Sequence, residues 1–560
     1  MDNLSPAVSE DYSDIIVQRQ YLPVSSPPFF PEQIINDQYS VLYAPLSENL
    51  AEAPQIGYSG IPKLYAPLST ASLDASGILA VQTQPYLNLQ GENVLIGFLD
   101  SGIDYTHPAF RNPDGTSRIL GIWDQNDQTG PPPDGISYGT VYSKTELDAA
   151  LRSSAPLSLV PVTDETGHGT AVAGIACGSP DFQAEFTGAA PKSNLLFVRL
   201  KPAKTYLRNY FFIPADSAAY QENDLMLGIR YLIQTAKNLQ MPLVICVSLG
   251  TNQGGHTGVT PLEDVLTSAL SVNGIYAVAG TGNETGLSHH YRGIALNQNE
   301  FIDAEHLVER GTAGLTLEFW SDSLHLYNIG FLSPLGESIL PVYHGPITSR
   351  TFRFLLENTE IDIYYTALEM MTGHQMALIR FRNPTPGLWR LRVSAQQKTN
   401  GDFHFWLPVS NHISPETVFI SPDPDTTLVI PSCAETIVSV STYDAQNGGL
   451  FRASGRGYPR SSFIKPDFAA PGVSLTAPAP DGLYRTFSGS SAASALTAGS
   501  AALLAQWGHQ RYPTRYLTAR ELKNLFQRGA LQNTAEQYPN REWGYGTMNL
   551  ATVFETFGRP

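Results

Sequence analysis

Cysteine is scarce in this chain of 560 residues, which has three: Cys177, Cys246 and Cys433. An odd count without paired spacing excludes a disulfide framework or a cysteine-ligated metal as the organising device. Two of them sit in the apolar runs AVAGIACG and PLVICVSLG, where a thiol reads as a small buried hydrophobe. Basic residues are also few. Thirty-four Lys and Arg against 51 Asp and Glu give a formal charge of −17. There is no basic tract, which argues against a nucleic-acid partner. No apolar run approaches the roughly 20 residues of a membrane span. The opening stretch, MDNLSPAVSEDYSDIIVQRQ, lacks the basic-then-apolar order of a secretory signal. Cytoplasmic synthesis, and residence in a cell or a structure derived from one, are therefore expected. What is present is 42% apolar and 15% charged residues, the composition of a globular chain long enough for several domains.

The pattern changes along the chain. Residues 15–21, IIVQRQY, and 39–46, YSVLYAPL, read as strands, with a short helix expected in PEQIIND between them. The hexapeptide LYAPLS occurs at 42–47 and again at 64–69, too few copies for a repeat architecture. From residue 91, apolar strands (NVLIGFLD, NLLFVRL, PLVICVSLG, GIYAVAGTGN) alternate with helical stretches. In one of these, Leu225, Ile229, Leu232, Ile233 and Ala236 share a face. Such runs predict an α/β fold with a parallel sheet covered on both faces. Between about 290 and 412 short strands follow one another. In LWRLRV, Trp389, Leu391 and Val393 alternate with Arg390 and Arg392, as a half-buried antiparallel strand requires. This region is expected to be an all-β sandwich or jelly-roll module. The α/β pattern returns after 413.

Four stretches carry chemistry. FSGSSAASALTAGSAALL places Ser490 and Ser491 at the mouth of a helix of small residues, where a serine is either a cap or a nucleophile favoured by the helix dipole. NVLIGFLDSG ends a buried strand in Asp100, the end at which open α/β sheets keep their sites; a turn residue is the alternative. DETGHGTAVAGIACG sets His168 between Gly167 and Gly169 at a helix start. AVAGTGNETG ends a strand in Gly282 and Asn283, which alone reads as a turn. Together these are the parts of acyl transfer. A serine needs a base, the base needs a carboxylate to fix its tautomer, and the oxyanion needs amide donors.

DSGIDYTHP, GHGTAVAGI, VSLG, GTGNE, KPDFAAPG and SGSSAASA, in this order, resemble the signature blocks of subtilisin-like serine proteases across most of residues 91–550. The resemblance implies nucleophile Ser491, base His168, orienting Asp100 and oxyanion donor Asn283. Ser490 takes the place usually held by Thr. It also implies that Ser248, Leu249 and Gly250 line the substrate strand, with Gly280, Thr281 and Gly282 as the other wall of the first specificity pocket. The fold expected is a subtilisin-like parallel sheet flanked by helices, preceded by an α+β prodomain at 1–70. The catalytic domain is expected in two parts, 71–289 and 413–560, around an inserted jelly-roll-type domain at 290–412.

More narrowly, RLKPAKTYLRNYFFIPADSAAYQENDLMLGIRYL, GTNQGGHTG and YPNREWGYGTMNL resemble the clostridial spore-germination (Csp) protease group. That implies retention in the spore and a protein substrate, a spore cortex-hydrolase zymogen. It also implies the chain's own prodomain as a partner, cut by Ser491 between Leu64 and Ser72.

Asp100 and His168 are 68 residues apart, and His168 and Ser491 are 323 apart. In compact subtilisins the separations are roughly 30 and roughly 160. The first excess is assigned to a loop insertion across NPDGTSRILGIWDQNDQTGPPPDG, the second to the β-module. Ala492 and Ala495 stand where ordinary subtilisins carry Met and Pro. Ala109 follows His107-Pro108 where calcium-dependent members carry Asp, so neither a metal nor a cofactor is expected. A non-enzymatic germination sensor would show a replaced triad residue, and none is replaced. A carbohydrate-binding β-module would expose aromatics on one face, whereas Trp320, Trp389 and Trp406 fall inside strand patterns and are expected in the core.

Overall fold

The computed structural model describes residues 5–21, 30–46, 57–67, 75–84, 87–294, 297, 300–322, 324–342, 347–397, 401–461 and 463–556. Its centre is an eight-stranded sheet. In spatial order the strands are Phe468–Pro471, Val438–Tyr443, Ile275–Gly280, Leu243–Val247, Leu95–Asp100, Asn194–Arg199, Ile119–Asp124 and Thr140–Ser143. Neighbours run parallel, except the last pair. Every residue of Leu95–Asp100, Leu243–Val247 and Ile275–Gly280 is buried, which is why these strands read as unbroken apolar runs.

Helices cover both faces. A Cβ on Gly228, in helix Glu222–Leu239, would stand 2.4 Å from Leu99 Cδ2. A Cβ on Gly169, in helix His168–Cys177, would stand 3.0 Å from the Cβ of Asp100. Successive strand residues face opposite sides, so the two helices lie on opposite faces. Helix Ser490–Arg511 packs beside His168–Cys177 at very short range, since a Cβ on Gly499 would lie 2.3 Å from the Ala176 carbonyl oxygen. The small residues of both helices permit that approach. No helix among the described residues is long and apolar enough to cross a membrane.

The stretch expected as a loop insertion after Asp100 is instead part of the sheet. Its apolar segment ILGIWD forms Ile119–Asp124, parallel to Asn194–Arg199 and antiparallel to Thr140–Ser143. Helix Lys144–Arg152 follows, started by a capping box of Ser143 and Glu146. The segment expected as a helix in PEQIIND is likewise a strand, Glu32–Ile34. It pairs with Tyr39–Pro45, which pairs on its other side with Tyr12–Gln18. Ladder bonding to a neighbour already in place outweighs weak local helix preference. This small sheet buries Ile16, Val41 and Tyr43 in the same core as the central sheet, and its buried Asp14 pairs with buried Lys204 at 3.0 Å.

Residues after 289 form two antiparallel sheets. One runs His290–Gly293, Phe403–Trp406, Gly314–Ser321, Gln375–Arg382, Glu360–Thr366 and Ile347–Arg353. The other runs Ser338–Val342, Tyr327–Leu332, Gly387–Ala395, Phe301–Val308 and Val418–Phe419, the last lying beyond residue 412. The two enclose one core with Phe319, Trp389, Leu391, Val393 and Phe403. Arg390 and Arg392 point away from it, 2.7 Å from Glu305 and Asp303. Trp320 and Trp406 are also buried, but in a separate cluster with Tyr58. There Glu318 accepts a hydrogen bond from the Tyr58 hydroxyl and another, at 2.9 Å, from the Gly254 N–H. The module is thus fastened to both the N-terminal segment and the central domain.

Candidate active site

Three elements of different origin meet at the carboxyl end of the central sheet. Asp100 is the last residue of Leu95–Asp100, and His168 is the first of helix His168–Cys177. Ser491 is the second residue of Ser490–Arg511. His168 Nδ1 lies 2.7 Å from Asp100 Oδ1, and Nε2 lies 3.1 Å from Ser491 Oγ. Asp100 is fully buried, yet its carboxylate is well supplied with donors: Ser101 N–H at 2.8 Å on Oδ1 and the Ser248 hydroxyl at 2.7 Å on Oδ2. An ionised carboxylate accepts only, so Nδ1 carries the ring proton and the lone pair on Nε2 faces the Ser491 hydroxyl. The same hydroxyl lies 3.0 Å from the Ser248 carbonyl oxygen.

The structure decides against the capping role for the serine pair. The cap position is Gly489, which has no side chain to cap with, and both serines lie inside the first turn. Asn283 Oδ1 accepts the Ser490 N–H at 3.0 Å. Because the partner is a donor, the oxygen of that amide is fixed in place, and Nδ2 is turned to the other side as a donor. Ala492 and Ala495 are buried within the same helix, which runs through them unbroken.

The strand Leu249–Gly250 follows directly on Ser248. It pairs antiparallel with Leu64–Pro67, which pairs on its far side with Tyr220–Gln221. The extended segment expected near residue 64 therefore lies along the substrate edge expected from Ser248, Leu249 and Gly250. Residues 68–72 of the expected cleavage window fall outside the described residues. On the strand expected as the opposite wall, Gly282 has φ +89°, a left-handed backbone, and a Cβ there would come within 2.4 Å of Val429 Cγ1. A Cβ on Gly250 would come equally close to Val429 Cγ2. Gly280 backs onto Ser490, with a Cβ-to-carbonyl distance of 2.6 Å, and Thr281, between them, is buried. The two glycine walls thus close on one apolar side chain, Val429.

Several contributors were not singled out from sequence. Asp164 ties the loop before His168 to the loop after Asp100. Its Oδ1 accepts the Gly167 N–H at 3.0 Å and the Ser101 hydroxyl at 2.8 Å, and its Oδ2 accepts the Thr170 N–H and hydroxyl, each at 2.8 Å. An acidic residue just before a helix start was the available signal. Val429 had no local signal, because the β-module separates it in sequence from the glycines it touches.

Beside Ala109 lies a buried side-chain cation. Arg118 Nη1 donates to the Cys177 carbonyl at 2.6 Å, the Ser179 hydroxyl at 3.0 Å and the Ala109 carbonyl at 3.4 Å, and Nη2 donates to the Ser193 carbonyl. The guanidinium neutralises a knot of carbonyl oxygens at this point. Arg118→Leu is expected to strip those acceptors of partners and destabilise the protein by about 3 kcal/mol or more. EDTA is expected to leave the melting temperature of the parent unchanged. Thermal unfolding of both proteins with and without chelator checks the pair of statements.

The Subtilase family pattern matches residues 91–305 and 409–546. Among solved proteins, the structure titled "Structure of the Clostridium Perfringens CspB protease" superposes with a TM-score of 0.77 at 31% identity, covering 87% of this chain and 99% of that one. The "Major intracellular serine protease" of Bacillus subtilis (strain 168) is 26% identical over 196 residues, 35% of this chain and 44% of that protein. "Subtilisin-like protease SBT2.4" of Arabidopsis thaliana is 33% identical over 124 residues, 19% of this chain and 15% of that protein. The chain thus spans less than half the length of either curated relative. The two matched stretches supply the main strands of the central sheet and all four polar residues around Ser491, and they exceed half of the sequence, so the chain belongs to the subtilase family.

Proposed function

We propose that the chain is a serine endopeptidase in which Ser491 attacks the scissile carbonyl. His168 takes the hydroxyl proton at Nε2 and returns it to the leaving amine. Asp100 holds the imidazole in the productive tautomer and stabilises the imidazolium that forms. The tetrahedral oxyanion is met by the Asn283 amide and by backbone N–H at the start of helix Ser490–Arg511. Water then repeats the sequence and releases the acyl group. The observation that carries this reading is the continuous Asp100–His168–Ser491 hydrogen-bond line, at 2.7 and 3.1 Å. A fluorophosphonate probe tests it. Label is expected on Ser491, and label confined to another residue overturns the assignment.

The domain reading is part of the same proposal. Residues 1–70 act as a prodomain that the site cuts from the chain and that remains docked through the buried Asp14–Lys204 pair. Residues 290–412 form a jelly-roll-type insert that braces the protease rather than doing chemistry. The physiological substrate is a protein precursor activated by limited proteolysis. Likeness to the Csp group favours a spore-germination zymogen.

Asn283→Ala removes one oxyanion donor and is expected to lower kcat by about a hundredfold or more with little change in KM, because the contact strengthens only as charge develops. Steady-state kinetics on a peptide substrate gives both constants. A fall in kcat/KM carried by KM alone contradicts this role.

A further inference from the structure

An oxyanion donor works only where its N–H meets the developing charge at about 2.7–3.1 Å, so the backbone that carries it has to be held. Asn283 stands in a turn with little stiffness of its own. Gly282 and Gly286 are both left-handed, at φ +89° and +82°, and Gly286 and Leu287 are exposed. The Ser490 N–H holds the amide oxygen of Asn283 at 3.0 Å, which sets the rotation of that side chain rather than the place of its main chain. The main chain is held on either side. The Gly282 carbonyl accepts the Gly455 N–H at 3.0 Å, and the Thr285 N–H donates to the Ala453 carbonyl at 3.2 Å.

The residue after Asn283 adds a side-chain anchor. Glu284 is 3% exposed. Its Oε2 lies 2.7 Å from His289 Nδ1 and accepts from Asn252 Nδ2 at 3.4 Å. Its Oε1 accepts the Ser410 N–H at 3.2 Å and the Ser410 hydroxyl at 3.1 Å. An ionised carboxylate accepts only, so His289 carries a proton on Nδ1. These partners come from three places. His289 leads into His290–Gly293, a strand of the β-module, and Ser410 follows Phe403–Trp406, the strand paired with it. Asn252 lies two residues beyond Leu249–Gly250. The connections are also bonded to one another. The Leu407 N–H donates to the His289 carbonyl at 2.9 Å, and the Leu407 carbonyl accepts from Asn252 Nδ2 at 3.1 Å.

Resting on the peptidase reading above, we propose that Glu284 is the positioning residue of the oxyanion site, and that the inserted β-module reaches the chemistry through its carboxylate. Glu284 touches no reacting atom. It pins the main chain of Asn283 to both module connections on one side and to the chain beyond the expected substrate strand on the other. The oxyanion donor and the strand expected to seat the scissile carbonyl are thereby set against each other by one buried charged acceptor. Hydrogen bonds to such a group are stronger than neutral ones. A brace placed elsewhere on the surface would stabilise the fold without touching this turn.

Steady-state kinetics of Glu284→Ala and Ser410→Pro, each alone and combined with Asn283→Ala, tests this, with melting temperatures on the same preparations. Proline at 410 removes both donors of that residue. It fits the first position of the short helix Ser410–His412, after the extended Val409. Glu284→Ala is expected to lower kcat about tenfold or more with KM within about threefold of the parent, because a displacement of about 1 Å costs on the order of a hundredfold. The loss stays below that of Asn283→Ala, since it acts through the same amide. Ser410→Pro is expected to lower kcat about fivefold. In the Asn283→Ala background each change alters kcat by less than about twofold, because the donor it would misplace is gone. Glu284→Gln keeps an acceptor for Ser410 and recovers most of the loss. The full loss repeated in the Asn283→Ala background, a loss carried by KM alone, or a lower melting temperature with kcat unchanged each overturns the proposal. Where Glu284→Ala does not fold, the Ser410→Pro cycle decides by the same criteria. Those results leave the peptidase reading standing as long as turnover requires Ser491; turnover independent of Ser491 overturns both.

Discussion

Replacing Ser491 by Ala is expected to lower kcat on peptide substrates by on the order of 10⁶-fold, the scale of loss when a triad loses its nucleophile. The residual rate comes from binding and the oxyanion donors alone. The fold is expected to survive, for a local reason. Ser491 lies in the first turn of a helix and is not its cap, and among the described residues its hydroxyl reaches His168 Nε2 and the Ser248 carbonyl. Alanine is a better helix former than serine, and the Ser248 carbonyl keeps its role toward a substrate strand. The melting temperature should therefore move little while activity disappears. Kinetics and thermal unfolding on the same preparation separate the two. Joint loss of activity and fold would instead make Ser491 a structural residue.

Asp100→Ala is expected to cost about 10⁴-fold in kcat, less than the nucleophile but with a stability penalty that Ser491→Ala lacks. Asp100 accepts from His168, Ser101 and Ser248 in a fully buried position. Truncation leaves the Ser101 N–H and the Ser248 hydroxyl without that acceptor, at about 1–3 kcal/mol each. It also frees the imidazole to turn and to carry its proton on Nε2, where it cannot serve as a base. Turnover at saturating peptide, together with chemical denaturation, gives both effects. A rate within about tenfold of the parent would mean that the His168 ring is held by something other than Asp100.

The site was legible because its local signals are strong. An apolar run ending in Asp, a His between two glycines and a serine pair before small residues each report backbone geometry that depends on near neighbours. What escaped was set by pairing partners outside the segment itself. PEQIIND is a strand because Tyr39–Pro45 offers it a ladder, and ILGIWD lies in the central sheet although Gly, Pro and Asp surround it. Asp164 was hidden in part because one of its partners, the Ser101 hydroxyl, lies 63 residues away in sequence. The duplicated LYAPLS gave no clue to which copy lies along Leu249–Gly250. Only the pairing of Leu64–Pro67 with Leu249–Gly250 distinguishes them.

The account turns on one claim, that Ser491 makes this chain a peptidase acting first on itself. Parent and Ser491→Ala proteins, expressed and purified side by side, test it by intact mass. Two fragments from the parent and one uncut 560-residue chain from Ser491→Ala are the expected result. The same fragments from both proteins, or a single uncut chain from both, would contradict it.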